Sequence, residues 1–268
     1  MTMPIDLVIV RHGESEGNVA NRLSRRGDDR HFTLEFLARP SADWRLTLKG
    51  IEQAKRAGQW IRENIGQSFD RYYCSEYIRA AETAYYLGLP GAVWFMSQLL
   101  RERDWGELES MTDRERKERF VEELKRRERD FYGWAPPSGE SIATVCGRVG
   151  RVIDTIYREC DGQRVIIVSH GETSWALRVN LERWNQRQFA QIYNSADGRH
   201  KLLWNCSILH YTRLNEQGVG EKYLCRVRSV WPEDPETTDT GFVRIVRQRY
   251  SNDDLHSYVE EVPRLIAE

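Results

Sequence analysis

The 268-residue sequence has no Cys-x-x-Cys pair and no His-Glu-x-x-His, which removes the common zinc-knuckle and zincin spacings. Its five cysteines, Cys74, Cys146, Cys160, Cys206 and Cys225, are odd in number and scattered. They fit no disulfide framework, and mostly buried free thiols are expected. Net charge is also scarce: 40 basic against 41 acidic residues leave −1. No global field exists for a polyanion, so nucleic acid is not an expected partner and any anion site must be a local cluster. No run approaches the ~20 apolar residues of a membrane span, and no basic N-terminal region precedes a long apolar stretch. No membrane partner and a cytoplasmic location are expected. Long internal repeats and low-complexity tracts are absent too.

What is present reads as an α/β chain. Single α/β folds reach roughly 250 residues, so one large domain with insertions suffices, and a chain this long buries on the order of 70–75% of its unfolded surface without staples. Ile5 to Val10 is a nearly continuous apolar run, suited to a parallel strand buried on both faces. Gly50 to Gln67 carries a helical stripe in Ile51, Ala54, Trp60, Ile61 and Ile65. A strand is predicted at Arg71 to Cys74, a helix from Glu76 to about Leu87, and a strand at Ala92 to Met96. Asp113 to Asp130, dense in charge of both signs, predicts one solvated helix. Ile142, Val145, Val149, Val152 and Ile156 define another helix, leading into the apolar run Val165 to Val168. Strands are predicted at Ser207 to Tyr211, Tyr223 to Val230 and Phe242 to Val246. Trp231 to Gly241, with two prolines and four carboxylates, reads as an exposed loop. Asn21 to Arg45 has little periodicity, and no element is assigned there or after Tyr250.

The most informative feature is an echo. Val10-Arg11-His12-Gly13-Glu14-Ser15 and Val168-Ser169-His170-Gly171-Glu172-Thr173 each follow a buried-strand pattern. Groups just past the carboxyl ends of parallel strands lie beside the crevice where open α/β sheets bind ligands, so two histidines are expected to converge. Arg11 adds a planar cation matched to phosphate oxygens, which makes a poor metal site and a good anion site. Arg79 is a second candidate cation, although by itself a helix arginine reads first as a surface ion-pair former. Glu102, by charge patterning alone, is an exposed acid in a mixed-charge run.

Five ordered motifs resemble the histidine phosphatase superfamily, also called phosphoglycerate-mutase-like. They are Arg11-His12-Gly13-Glu14-Ser15 with Asn18, Leu46-Thr47-Leu48-Lys49-Gly50 with Gln53-Ala54, Ser75-Glu76-Tyr77-Ile78-Arg79-Ala80-Ala81-Glu82-Thr83-Ala84, Leu100 to Gly106, and Ser169-His170-Gly171. Pro137-Ser138-Gly139-Glu140-Ser141 matches a further marker. The resemblance covers about residues 5 to 180. It implies a mostly parallel central sheet flanked by helices on both faces, in one domain over 1–268 with an insertion near 19–45 and an extension after about 230. It also implies a phosphatase that uses a phosphohistidine on His12, with Arg11, Arg79 and His170 stabilising transferring oxygens and Glu102 as the acid. Arg11, Asn18, Arg79, His170 and Gly171 would bind the phosphate ester, a small molecule. No metal and no cofactor are expected, and a homodimer is compatible with the sequence.

Other readings remain at this point. Gly13-Glu14-Ser15-Glu16-Gly17 fits the esterase elbow G-x-S-x-G, yet fourteen residues precede Ser15, too few to build the earlier strand-helix loop that completes its oxyanion hole. A non-catalytic phospho-ligand module would keep the fold, but His12, Arg11, Arg79, Glu102 and His170 are all present. A phosphoglycerate mutase is the main rival. Such mutases resemble Arg-His-Gly-Glu-Ser-x-Trp-Asn, and this chain has Gly17 at the tryptophan position. Lys125-Arg126-Arg127 would either grip a second anionic group or form a solvated helix face.

Overall fold

The computed structural model describes residues 1–195 and 203–266. The chain runs β1 (Asp6–Arg11), α1 (Glu16–Ser24), α2 (Leu34–Ala38), α3 (Leu48–Asn64), β2 (Arg71–Ser75), α4 (Ile78–Tyr86) and β3 (Trp94–Ser97). It continues through α5 (Asp113–Arg119), α6 (Val121–Arg129), α7 (Ile142–Glu159), β4 (Arg164–Ser169), α8 (Gly171–Glu182) and α9 (Gln186–Asn194). The last elements are β5 (Ile208–Thr212), β6 (Arg226–Val230), α10 (Pro235–Thr238), β7 (Val243–Arg244) and α11 (Asn252–Glu260). Among the described residues seven strands form one sheet in the order β3-β2-β4-β1-β5-β6-β7. The first four pair in parallel and the last three join antiparallel.

The continuous apolar runs are explained by burial on both sides. Side chains alternate across a strand, so Leu7, Ile9, Val165 and Ile167 enter one core with Val145, Val149, Ala176 and Phe189 of α7, α8 and α9. Val8, Val10, Ile166 and Val168 enter the other with Ala57, Ile61, Ala80 and Ala84 of α3 and α4. Each fully buried Val, Leu or Ile contributes about 1.5–3 kcal/mol. Helices therefore cover both faces, as expected. The β1–β4 register pairs Val10 with Val168 and Arg11 with Ser169, and the His12 amide donates to the Ser169 carbonyl at 2.9 Å. This register places the two histidine-glycine pairs level, side by side.

Two expectations are corrected. The charged run Asp113 to Asp130 is not one helix; it breaks at Phe120 (φ −125°, ψ 37°) into α5 and α6. Neither half contains a fully buried residue, so little apolar packing holds a straight helix through the junction. Trp231 to Gly241 is not simply an exposed loop. It contains α10, buries Thr238, and ties Glu233 to Gln53 Nε2 at 2.9 Å. The undetermined Asn21 to Arg45 stretch folds as the end of α1, α2 and a single turn at Ser41–Asp43, with Phe36 stacked on Trp44 at 4.7 Å. After Tyr250 the chain forms α11, begun by a Ser251–Asp254 capping box. All five cysteines are free and only Cys225 is not fully buried. Among the described residues no helix is long and apolar enough to cross a membrane.

Candidate active site

The loop after β1 is held by the other motifs. A Cβ on Gly13 would lie 2.4 Å from the Gly50 carbonyl oxygen, and one on Gly50 would lie 2.1 Å from that of Glu14. Only glycines let this loop and the start of α3 touch. The Gly13 amide donates to Thr83 Oγ1 at 3.0 Å, and the Glu14 amide donates to Gln53 Oε1 at 2.8 Å. Ser15, 1% exposed, caps α1 by accepting from the Asn18 amide at 3.3 Å. That role accounts for the serine without an esterase elbow.

His12 is 2% exposed, and its Nδ1 lies 2.7 Å from the Gly13 carbonyl oxygen. A carbonyl can only accept, so Nδ1 carries the proton and Nε2 of the neutral ring keeps its lone pair. Arg79 Nε donates to that Nε2 at 3.3 Å, and Arg79 Nη1 donates to the Ser41 carbonyl at 2.6 Å. The His170 ring stands 5.0 Å from His12. Its Nε2 pairs with Ser75 Oγ at 2.8 Å, while its Nδ1 is buried without a hydrogen-bond partner among the described residues. The same holds for Nε of Arg11, whose Nη1 donates to the Leu203 carbonyl. Gly171 and Glu172 open α8 beside these groups. The first amides of a helix have no partner within it and favour an anion. Arg11, Arg79 and the His170–Glu172 turn thus bring polar groups from three segments next to His12. Buried polar groups normally find partners, and one phosphate would satisfy several of these at once.

Glu102 joins from the segment after Leu100. Its Oε1 accepts from the amides of Arg103 at 2.9 Å and Thr173 at 3.2 Å. The Pro137 to Ser141 marker braces this segment. Arg148 pairs with both Glu140 oxygens at 2.9 Å and donates to the Glu102 carbonyl at 3.0 Å, and the Asp104 amide donates to Glu140 Oε2 at 3.1 Å. Asn18 is further out. Its Oδ1 accepts from the Ser15 amide at 3.2 Å and from Asn205 at 2.9 Å. Arg11, Glu102 and Gly171 line one cavity of about 460 Å³ together with Glu172, Trp175, Tyr193, Asn194 and Leu203. Lys125 and Arg126 pair with Glu122 and Glu123 on the exposed face of α6, whereas Arg127 packs on Trp105, Phe131 and Trp134.

Several site residues escaped the sequence reading. Ser75 opens the motif that ends at Arg79 and was findable there. Tyr77 packs under the Arg79 guanidinium at 4.8 Å and beside His170 at 5.2 Å. Asn205 Nδ2 donates to the His12 carbonyl at 3.1 Å. Burial raises the Glu109 carboxyl, an effect that Ser41 and Arg79 oppose. Burial likewise pushes Glu172 up to about 7, against the pull of Arg103. These residues meet only through contacts between segments distant along the chain, which no local pattern records.

Both site histidines are pulled well below the ordinary value of 6.5, by burial first and then by Arg79. An imidazole must be neutral to act as a nucleophile, and for His12 protonation would end that capacity only well below 6.5. The acid limb of kcat/KM, which reports the free enzyme, is expected well under that value. Stability has the matching sign. The unfolded chain takes up protons at both rings that the folded chain refuses, so stability is complete above about 6.5 and declines as pH falls through it. A kcat/KM limb lying at 6.5 would show that the pocket is wetter than this geometry.

Fold and pocket together define an α/β protein that presents a neutral, cation-flanked histidine at the ends of two parallel strands. The chain belongs to the histidine phosphatase superfamily (branch 1), whose family model matches residues 7–215. A 2,3-bisphosphoglycerate-dependent phosphoglycerate mutase of Parvibaculum lavamentivorans is 33% identical over 205 residues, covering 73% of this chain and 88% of its own. Among solved structures, the protein described as Mycobacterial hydrolase 2 superposes with a TM-score of 0.61 at 20% identity, covering 97% of this chain and 98% of its own. Mycobacterial glucosyl-3-phosphoglycerate phosphatase in complex with VO3 gives 0.60 at 22% identity, covering 77% and 92%. These structural likenesses establish the fold.

Proposed function

We propose that the protein is a phosphatase that hydrolyses phosphate monoesters through a phosphohistidine on His12. The observation that carries this reading is the cluster at His12: Arg79 Nε lies 3.3 Å from the unprotonated Nε2, the His170 ring stands 5.0 Å away, and His170 Nδ1 and Arg11 Nε have no hydrogen-bond partner among the described residues. In the first step Nε2 bonds to phosphorus as the ester P–O bond breaks, and Glu102 gives its proton to the departing alkoxide. In the second, the Glu102 carboxylate takes a proton from water as the water oxygen bonds to phosphorus and the P–N bond breaks. Orthophosphate leaves with Glu102 reprotonated. Splitting one displacement into two is the general benefit of covalent catalysis. Arg11, Arg79, His170 and the Gly171 amide stabilise the equatorial oxygens, where most phosphoryl-transfer catalysis resides. Burial and Arg79 favour the neutral form of His170, and phosphate charge beside it favours the cationic one.

A phosphoglycerate mutase is the second reading, favoured by the activity named for the curated relatives. Position 17 departs from the mutase-like pattern. A Cβ on Gly17 would lie 2.2 Å from the Trp44 ring, so this chain fills from its own insertion the space that a side chain at 17 would need. Orthophosphate release and isomerisation of phosphoglycerate, assayed on one sample, separate the readings. Release from a panel of monoesters without isomerisation is expected; isomerisation faster than release would establish the mutase.

Charge neutralisation here comes from side chains, and among the described residues no three His, Cys, Asp or Glu side chains cluster as metal ligands. Turnover in EDTA is therefore expected to equal turnover without it. Loss of activity restored by one divalent ion would overturn this.

A further inference from the structure

The cavity that holds Arg11, Glu102 and Gly171 extends to Glu172, Trp175 and Tyr193. Behind Glu172 lies a buried basic core. Arg103 has a fully buried side chain, with Nη1 3.5 Å from Glu172 Oε1, and that Nη1 makes no hydrogen bond among the described residues. Its other nitrogens are held by the carbonyls of Glu140 at 2.6 Å and Trp134 at 3.0 Å. Arg127 packs into the same aromatic box of Trp105, Phe131 and Trp134 as Arg103 does, and its Nε is likewise without a partner among the described residues. Two guanidinium groups thus face one carboxylate that stands between them and the cavity. The second oxygen of that carboxylate, Oε2, is buried and accepts no hydrogen bond among the described residues.

We propose that Glu172 is a specificity-determining residue, an internal anion that occupies the Arg103–Arg127 subsite and makes the enzyme favour monoesters of uncharged, hydroxyl-bearing alcohols over those carrying a second anionic group. The inference rests on the phosphatase reading and deepens it. A substrate whose phosphate is seated on Arg11 and Gly171 extends its alcohol toward Glu172. A hydroxyl there donates to the Glu172 carboxylate, whose side chain lines the cavity and is 19% exposed. A carboxylate or second phosphate meets the like charge of Glu172, the one group of this cluster that lines the cavity, and repulsive elements of this kind are how sites reject close competitors. Trp175 and Tyr193 supply the apolar and aromatic wall against which a sugar-like carbon skeleton packs.

The groups facing Glu172 are Glu102, Arg103 and Trp105 of the segment after Leu100, Arg127 of α6, Tyr193 of α9 and Arg11 of β1. Burial favours its uncharged form, so selectivity is a function of pH. The test compares glycerol 1-phosphate with 3-phosphoglycerate, whose phosphate groups are alike and whose remaining parts differ in charge. In the wild-type protein the kcat/KM ratio of the first to the second is expected to rise at least about tenfold between about pH 6 and about pH 8, as Glu172 loses its proton. In Glu172→Gln the ratio at about pH 8 is expected to fall at least about tenfold, and its pH dependence to flatten. Calorimetric affinities for the same two compounds report the same shift without turnover. Should the affinities shift while neither compound is hydrolysed, the phosphatase reading fails and this inference stands. Hydrolysis with ratios that move neither with pH in the wild type nor in the variant overturns the inference alone. The wild-type pH series serves if the variant does not fold.

Discussion

Replacing His12 by alanine is expected to lower kcat by roughly 10⁴–10⁶-fold, the scale on which a covalent catalyst loses activity when its nucleophile is removed. Among the described residues the geometry leaves no substitute. The other imidazole at the site, His170, engages Ser75 through Nε2 and offers only Nδ1, and its ring is 5.0 Å from that of His12. Rapid quench with a labelled monoester should trap protein-bound phosphate that survives alkali and is lost in acid, the behaviour of a phosphoramidate. His12→Ala should yield none of it. An adduct of the same lability in the variant would move the nucleophile to another residue, His170 first. Because the imidazole is held by a single ring hydrogen bond to Gly13 and one from Arg79, its removal is not expected to unfold the chain, and an unchanged thermal midpoint would show that the loss is chemical.

The second large effect concerns Glu102. Its Oε1 is fixed by the amides of Arg103 and Thr173 and lies 3.3 Å from Thr173 Oγ1, which leaves Oε2 to meet the leaving oxygen. Glu102→Gln preserves size and removes the transferable proton. General acid catalysis is typically worth about 10²–10⁴-fold, and the gain is largest when the leaving group is a poor anion. The alkoxide of a sugar or glycerol needs the proton, whereas p-nitrophenolate does not. The variant is expected to lose about 10²–10⁴-fold in kcat/KM on alkyl phosphates and far less on p-nitrophenyl phosphate. kcat is the wrong readout, because the same carboxylate activates water in the second step and both substrates share that step. Equal losses of kcat/KM on aryl and alkyl esters would make Glu102 a positioning residue, acting through Thr173 and the start of α8, and the proton donor would lie elsewhere. Glu109, raised by burial near Arg79 and Ser41, would be the next carboxyl to replace.

Much of this protein is legible in one dimension because its informative features are local. A strand buried on both faces must be continuously apolar, so β1 and β4 stand out in the sequence, and the repeated histidine-glycine pair after each marks where their ends meet. α3 and α7 are amphipathic because one side faces a core and the other faces water, and their apolar spacing shows it. Arg11, His12, Arg79, Glu102 and His170 were found through motifs that each occupy a few consecutive residues, and the structure brings them together. α8 was missed for the opposite reason. It is buried nearly all round and contains Thr173, Ser174, Arg178 and Glu182, so it has no polar face to contrast with an apolar one. Its charges are paired inside, Arg178 with Glu182 at 2.9 Å and Tyr211 with Glu182 at 2.8 Å. Only packing that satisfies those groups makes such a helix stable.

What the tertiary structure alone decided is the surroundings of the chemistry. The sequence by itself singled out His12, His170, Arg11, Arg79 and Glu102 as candidates, since each lies in a short motif, although Arg79 and Glu102 stand out only because their motifs resemble those of the family. It did not determine that Ser41, from an irregular insertion, would fix Arg79 through a backbone carbonyl, or that Asn205, nearly two hundred residues along, would hold the His12 carbonyl. Nor did it indicate that Glu172 would lie against Arg103, with burial raising its carboxyl in the cavity it shares with Arg11 and Gly171. Charge state, solvation and selectivity depend on what a side chain is buried against. That is fixed when strand register and helix packing bring remote segments within a few ångströms, and no spacing along the chain encodes it.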